Sequence, residues 1–288
     1  MSRHSSLLFA VGPRLVALVV AASLTAGCAS AGGWPRVISV EGARAQPTVR
    51  GEWIGSYDEA LVSIAAVMTD QLGLPPLDAS ILFYPDRDAF RTALEATGYT
   101  PDFARETAAT LTAVSGHRRV IVNDRAMEDV GWLFRIALLA HELTHTLQYT
   151  FANGVRGTSD QWLREGFAEW VEVEVLVRLG FTSRPQAQRV LLGRLREARI
   201  ERLPELSQMV TFPDWVSLAQ QVGQEALYGH AMLAAGFLLD RHGLQAAIDY
   251  FEMFATSDDR EDNFRRAFGQ DLRAFETEFS ARLTQMLR

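Results

Sequence analysis

The segment 133–152 is strongly apolar, contains neither Pro nor Gly, and carries two histidines and a glutamate close together. Its apolar character on nearly all sides predicts a central helix over about 128–151. Residues four apart lie on the same face of a helix, so His141 and His145 point their imidazoles in the same direction. Glu142 lies about 100° round the helix from His141 and about 60° from His145, at the edge of that face.

This His-Glu-x-x-His arrangement is the one that a zinc hydrolase requires. Two neutral imidazole nitrogens bind the metal, and a carboxylate beside the metal-bound water accepts its proton. The alternative is a core helix that carries these residues by chance, because the five-residue pattern is short. The hypothesis therefore requires a third protein ligand elsewhere in the chain.

About twenty residues downstream the chain reads Trp-Leu-Arg-Glu-Gly-Phe-Ala-Glu over 162–169. With the His-Glu-x-x-His segment, this resembles the gluzincin metallopeptidases, and most closely the aminopeptidase N group and the bacterial peptidase MA-like proteins. The resemblance implies a zincin-like fold in which Glu165 is the third zinc ligand. The alternative is a solvated acidic face, since Glu172 and Glu174 follow on the same predicted helix.

Glu169 lies one helical turn after Glu165. In the thermolysin branch of the gluzincins, a carboxylate at this spacing hydrogen-bonds a zinc-bound histidine. The resemblance implies the same role for Glu169. Two carboxylates four residues apart repel each other unless a cation or a donor holds them, which favours a metal-facing pair.

Two later segments extend the resemblance to about 105–285. The segment 226–243 resembles the downstream helix of peptidase MA-like proteins, which begins with a tyrosine and ends at a glycine, and 263–279 resembles their C-terminal tail. Tyr228 is the candidate donor to the oxyanion, with His230 as the alternative. A tyrosine that only fills the core is an equal interpretation of Tyr228.

The N-terminal residues predict export. Residues 1–27 have a basic start, an apolar stretch too short for a comfortable membrane span, and a lipobox-like end before Cys28, the only cysteine. We expect 1–27 to be a signal peptide, Cys28 to be lipidated, and 28–50 to be a tether to the membrane. The protein would then belong to the bacterial cell envelope and face the periplasm or the exterior. An ordinary secretory signal is the alternative.

Composition excludes one class of partner. The formal net charge is −7, and all 28 basic residues are Arg without basic clusters, so binding of nucleic acid is not expected. A single cysteine cannot form an internal disulfide, so packing must stabilise the fold, to which a bound metal can add.

Periodicity predicts an α+β fold: a small N-terminal sheet, the metal helix, and a mostly helical C-terminal half. One domain is expected over 51–288. Strands are predicted at 81–84 and within 110–123, where a turn at Ser115-Gly116 would separate two strands of a hairpin. The predicted helices outside the metal segment are 53–72, 86–97, 161–171 and onward, 185–199, 213–222, 225–242, 244–255 and 259–288 with a break at Gly269.

The sequence thus predicts an exported zinc peptidase that uses His141, His145 and Glu165 as ligands and Glu142 as general base. Two alternatives stay open: a catalytically silent, zinc-stabilised envelope lipoprotein that acts in assembly or binding, and a metal hydrolase of non-peptide amide bonds. The Gly-rich exopeptidase motif of the aminopeptidase N group has no match between Val120 and Ala140, so aminopeptidase activity is not predicted.

Overall fold

The computed structural model describes residues 35–41, 51–198 and 203–288. These residues form an α+β fold with a small mixed sheet on the N-terminal side and a helical C-terminal half, as the sequence predicted. The predicted signal peptide and Cys28 lie outside the described residues. None of the helices in these ranges combines the length and the apolar character that a bilayer-spanning segment requires.

The predicted single domain over 51–288 contains two compact units. The sheet unit holds the described residues up to 156 together with Arg178–Phe181. The helical unit holds Gly157–Val177 and the described part of Thr182–Arg288.

Among the described residues the sheet has four strands, in the order β1-β2-β4-β3. β1 pairs antiparallel with β2, β2 pairs parallel with β4, and β3 pairs antiparallel with β4. The edges of the described sheet are therefore β1 and β3. The strand bounds are Arg36–Glu41 for β1, Asp78–Tyr84 for β2, Ala113–Gly116 for β3 and Arg119–Asn123 for β4.

Two sequence predictions are corrected in the sheet. Arg36–Glu41 forms β1, although 28–50 was expected to be a tether throughout. Val40 is buried whereas Val37 is exposed, so the segment lacks a clear pattern of buried apolar residues that would have predicted a strand. The predicted hairpin is present, but its turn consists of His117 and Arg118, not Ser115 and Gly116. Arg118 adopts a φ of 55°, so an arginine takes the left-handed position that a glycine usually fills.

The described part of the sheet unit contains five α-helices. Side chains that cap helix N-termini determine where three of them start: Ser56, Asp86 and Thr100 each accept a hydrogen bond from a backbone N–H three residues later. The bounds are Tyr57–Ala66 for α1, Arg87–Ala96 for α2, Pro101–Thr110 for α3, Asp124–Met127 for α4 and Trp132–Phe151 for α5. A π-helical turn, Val67–Gln71, continues α1.

α5 is the predicted central helix, and nearly all of its residues after Arg135 are buried. It packs against β3 and β4. It ends where Asn153 and Gly154 both take positive φ values, of 57° and 83°, and the Gly154 N–H donates to the Tyr149 carbonyl at 2.8 Å. The polar residues on α5 are therefore held inside the unit.

Six α-helices lie in the residues of the helical unit that the structure describes. Their bounds are Gln161–Arg178 for α6, Arg184–Ala198 for α7, Phe212–Val222 for α8, Gln224–Met253 for α9, Arg260–Phe268 for α10 and Leu272–Leu287 for α11. α9 is interrupted at Gly243, whose φ of 81° separates the two helices that the sequence predicted. Gly269 adopts a left-handed conformation at the end of α10, at the predicted break.

Aromatic side chains fill the core of the helical unit. Trp162 of α6 stacks on Phe275 of α11 at a centroid distance of 5.9 Å, and Phe264 of α10 lies against both rings. The Tyr250 hydroxyl of α9 donates to Asp160, the residue just before α6, at 2.7 Å. These contacts fix the start of α6 and so the positions of the acidic residues that it carries.

Candidate metal centre

His141 and His145 lie one turn apart on α5 and face each other. Their Nε2 atoms are 3.1 Å apart, and their rings are nearly perpendicular, at 82°. Both side chains are buried, with exposed fractions of 6% for His141 and 0% for His145. The structure therefore places two potential nitrogen ligands at one point inside the sheet unit.

Gln148 determines which nitrogen of His145 is available as a ligand. The His145 Nδ1 lies 2.8 Å from the Gln148 Oε1, three residues further along α5. An amide oxygen only accepts hydrogen bonds, so this contact fits the tautomer with its proton on Nδ1, in which the Nε2 carries a lone pair. A metal-binding histidine is commonly held in this way by a hydrogen bond to its other nitrogen.

The spacing of the two nitrogens fits one tetrahedral zinc ion. Two Zn–N bonds of about 2.0–2.1 Å at a tetrahedral angle place their nitrogens about 3.3 Å apart. The observed separation of 3.1 Å between the two Nε2 atoms is close to this value. The pair is thus arranged as ligands of a single ion without a change of rotamer.

The helical unit provides buried carboxylates on one face of α6. Glu165, Glu169 and Glu172 are all buried, with an exposed fraction of 0% for Glu165. Gln161, one turn before Glu165, donates from its Nε2 to the Glu165 Oε1 at 2.7 Å. A carboxylate without exposure to water is stable only with donors or a cation beside it, so these residues do not form the solvated acidic face that was the alternative.

Glu174 has a different environment. Its two carboxylate oxygens accept from Arg184 at 2.7 Å and 2.6 Å in a bidentate ion pair at the start of α7. The pairing explains why Glu174 is buried even though it follows the other acidic residues of α6.

His141, His145 and Glu165 lie close enough together to hold a metal ion, since each offers one ligand atom and these atoms all lie within 4.8 Å of one another. The same limit is met by a second group, His141 with Glu169 and Glu172. The two groups share His141. The side chains of the predicted ligands are therefore close enough together for one metal ion, and Glu169 lies near His141.

Glu142 is buried beside the histidine pair and contacts β3. The Ser115 hydroxyl donates to its carboxylate Oε2 and lies 3.0 Å from its backbone carbonyl oxygen. The charge of Glu142 also contributes, after burial and the neighbouring Tyr149, to a raised pKa of Tyr99. The predicted general base thus has a defined hydrogen-bond partner.

Tyr228 and Glu169 line one cleft of the helical unit. The remaining wall is mostly apolar and includes Val173, Leu191 and Met232. The Tyr228 ring packs edge-on against Trp215 at 4.9 Å, so the tyrosine contributes to the core and also borders the cleft.

His230 has a different position on α9. Its ring stacks on Phe279 of α11 at 5.4 Å, and its Nδ1 meets no hydrogen-bond partner among the described residues. Burial lowers its pKa to about 4, so the ring is neutral near pH 7. His117 is exposed in the β3–β4 turn.

Sequence reasoning missed three residues of the site. Gln148 follows His145 by three residues and Gln161 precedes Glu165 by four, so helical spacing alone would have placed each beside its partner. Ser115 gave no such signal, because its contact with Glu142 joins a strand to a helix across 27 residues of sequence.

Comparison of the chain with protein-family models, with curated proteins and with solved structures found no match.

Proposed function

We propose that the protein is a zinc-dependent peptidase with a zincin-like fold. The single observation that carries the proposal is the buried group of His141, His145 and Glu165, with two Nε2 atoms 3.1 Å apart and all ligand atoms within 4.8 Å. Two imidazoles and one carboxylate form a donor set that suits Zn²⁺ and leaves a coordination position for water. The resemblance of the two sequence segments to gluzincin peptidases supports the same assignment.

The proposed ligands are His141, His145 and Glu165. The other group that could hold a metal ion consists of His141, Glu169 and Glu172. Both groups need His141, so only one can be filled at a time. The group with Glu165 contains two histidines, one of which has its tautomer fixed by Gln148, whereas the group with Glu169 and Glu172 contains one. Nitrogen-rich sets favour zinc, and carboxylate-rich sets favour harder cations.

Glu142 is the proposed general base. When bound, zinc supplies a Lewis acid that polarises the substrate carbonyl and lowers the pKa of water in the site. Glu142 takes a proton from the attacking water, whose oxygen forms a bond to the carbonyl carbon. As the C–N bond breaks, Glu142 passes that proton to the leaving nitrogen. The carboxylate returns to its starting state, as a catalyst must.

Tyr228 is the proposed donor to the oxyanion. It borders the same cleft as Glu169, whereas His230 packs against Phe279, which favours the tyrosine. Its hydroxyl would donate a hydrogen bond to the oxygen that gains negative charge, and losing such a donor costs about 2.7–4 kcal/mol of transition-state stabilisation.

Peptides are the proposed substrates because β3 lies at an edge of the described sheet and contacts the metal helix α5. An edge strand can bind an extended peptide through backbone hydrogen bonds. The sequence around Cys28 supports export and a lipid anchor to the membrane of the cell envelope. A Cys28→Ser variant should therefore leave the membrane fraction.

Substitution of Glu142 by Gln tests the proposal. The zinc-loaded wild type should cleave a peptide library, and Glu142→Gln should bind zinc equally but lose activity at least about 100-fold, in the range that general bases contribute. Unchanged cleavage by Glu142→Gln would exclude Glu142 as the base. Cleavage of cell-wall amide fragments without cleavage of peptides would identify a hydrolase of non-peptide bonds, and zinc binding without hydrolysis would identify a silent lipoprotein.

A matched pair of substitutions tests the ligand set. Glu165→Gln should weaken zinc binding strongly, whereas Glu172→Gln, which changes the same chemical group on the same helix, should leave it within a few-fold of wild type. The reverse result would assign the metal to the second group.

A further inference from the structure

We propose that Ser115 is a positioning residue that orients the Glu142 carboxylate for proton transfer. The inference rests on the proposed function, because it assigns a partner to the general base of that site. Its structural basis is the hydroxyl of Ser115, which donates to the Glu142 Oε2 and also lies 3.0 Å from the Glu142 backbone carbonyl oxygen.

The Ser115 hydroxyl is well placed to hold a carboxylate. It has one proton, and the ionised carboxylate is the stronger of its two acceptors. Ser115 and Glu142 are both buried, with exposed fractions of 2% and 1%, so water competes little for this hydrogen bond. A hydrogen bond to a charged group in such surroundings is worth more than one at the surface.

The backbone pairing of β3 holds the Ser115 hydroxyl in a fixed position. Ser115 is paired with Val120 in the β3–β4 ladder, two residues before His117, where the two-residue turn begins. Neighbouring side chains of a strand alternate between its faces, and Ser115 is on the face toward α5. The Glu142 carboxylate lies at the end of a flexible side chain. Its contact with Ser115 of β3 removes rotational freedom that the side chain would have if it were held by α5 alone.

Orientation matters for the step that Glu142 performs. The carboxylate accepts a proton from water and returns it to the leaving nitrogen, so its free lone pairs must point at both atoms in turn. Donation by Ser115 fixes the plane of the carboxylate by engaging one oxygen. Small displacements of a catalytic group reduce rates by up to about 100-fold. The Ser115 hydroxyl therefore acts through Glu142 and does not itself exchange a proton with the substrate.

A carbon-13 NMR measurement on the metal-free protein tests the contact independently of activity. With the glutamate carboxyl carbons labelled, the Glu142 resonance is identified by its loss in Glu142→Gln. Ser115→Ala should shift this resonance. Ser63→Ala is the matched control, because Ser63 is equally buried in the same unit and its hydroxyl meets no hydrogen-bond partner among the described residues. It should leave the resonance in place.

Kinetics of the zinc-loaded protein test the consequence. Ser115→Ala should lower kcat about tenfold or more, in line with the loss of a hydrogen bond to a charged group, with KM within about twofold and zinc content unchanged. Ser63→Ala should keep wild-type kinetics. In a Glu142→Gln background, Ser115→Ala should have no further effect on kcat, since a positioning residue has nothing left to position.

The outcomes separate this inference from the proposed function. An unshifted Glu142 resonance in Ser115→Ala overturns the inference. Wild-type kcat in Ser115→Ala, or a tenfold loss that persists in the Glu142→Gln background, overturns it as well and leaves the peptidase proposal standing. A wild type that binds zinc but hydrolyses no peptide overturns the proposed function and the catalytic role of Ser115 with it, whatever the NMR result.

Discussion

The glycine after the proposed ligand Glu165 is required by the packing of two helices. A Cβ atom built on Gly166 of α6 would lie 2.6 Å from the Ala231 carbonyl carbon of α9, and closer still to its oxygen. Non-bonded carbons prefer separations of about 3.5–4.0 Å, so Gly166→Ala must move the two helices apart by about 1 Å. The obstacle is backbone, and no side-chain rotation relieves it.

The expected cost follows from two opposing effects. Overpacking of a tight core costs about 1–3 kcal/mol, and a backbone obstacle places this case in the upper part of that range. Alanine is better than glycine inside a helix by about 0.8–1.0 kcal/mol, which offsets part of the loss. The free energy of unfolding should therefore fall by about 1–2 kcal/mol, which lowers Tm by about 2–8 °C for a chain of this size.

Thermal unfolding of the metal-free protein, followed by circular dichroism, measures this effect without a contribution from bound metal. Gly236→Ala is the matched control on α9, because its Cβ would lie an ordinary 3.5 Å from Trp170 of α6. It should keep or raise the wild-type Tm. Gly166→Ala should also weaken zinc binding, since it displaces the neighbouring Glu165. A Gly166→Ala protein as stable as Gly236→Ala would refute the close-packing argument.

Three further predictions concern buried polar groups. Burial lowers the pKa of His230 to about 4, so between about pH 6.5 and 4 the unfolded chain binds a proton that the folded chain excludes. The free energy of unfolding should fall with decreasing pH in this window by up to about 3 kcal/mol, and urea titrations should show a flatter dependence for His230→Phe. Tyr250→Phe removes the hydroxyl that donates to buried Asp160 at 2.7 Å, which should lower the free energy of unfolding by about 1–3 kcal/mol in the same assay. Gln148→Leu removes the partner of the His145 Nδ1, and chelator competition should show zinc affinity reduced about 10–100-fold.

Most of the helices were predictable because their signals are local, but α3, over Pro101–Thr110, was not predicted. The start or end of a helix is determined by a few consecutive residues. Examples are the capping side chains of Asp86 and Asp259 at helix starts and the glycines Gly243 and Gly269 at helix ends. β1 was missed because its pairing with β2 joins residues about 40 positions apart, and its mixed composition has no alternation of its own. Strand pairing of this kind is decided by the partner and not by the segment.

In the site, too, features set by neighbouring residues could be predicted, whereas contacts between residues distant in sequence could not. The faces of α5 and α6 follow from helical spacing, so the histidine pair and the aligned carboxylates could be predicted. The hairpin turn was misplaced because Ser-Gly is a common turn pair, and this error concealed the contact of Ser115 with Glu142. The burial of Glu172 was not predicted, because a run of charged residues ordinarily indicates a surface.

The central claim is that Glu142 acts beside a zinc ion held by His141, His145 and Glu165 to cleave peptide bonds. Its most direct test is a peptide-library digest by the wild type and by Glu142→Gln, with the zinc content of both samples measured in parallel. The account predicts about one zinc per chain in both proteins, cleavage by the wild type, and a loss of at least about 100-fold in Glu142→Gln. Equal cleavage by the two proteins, or no cleavage by a zinc-loaded wild type, would contradict it.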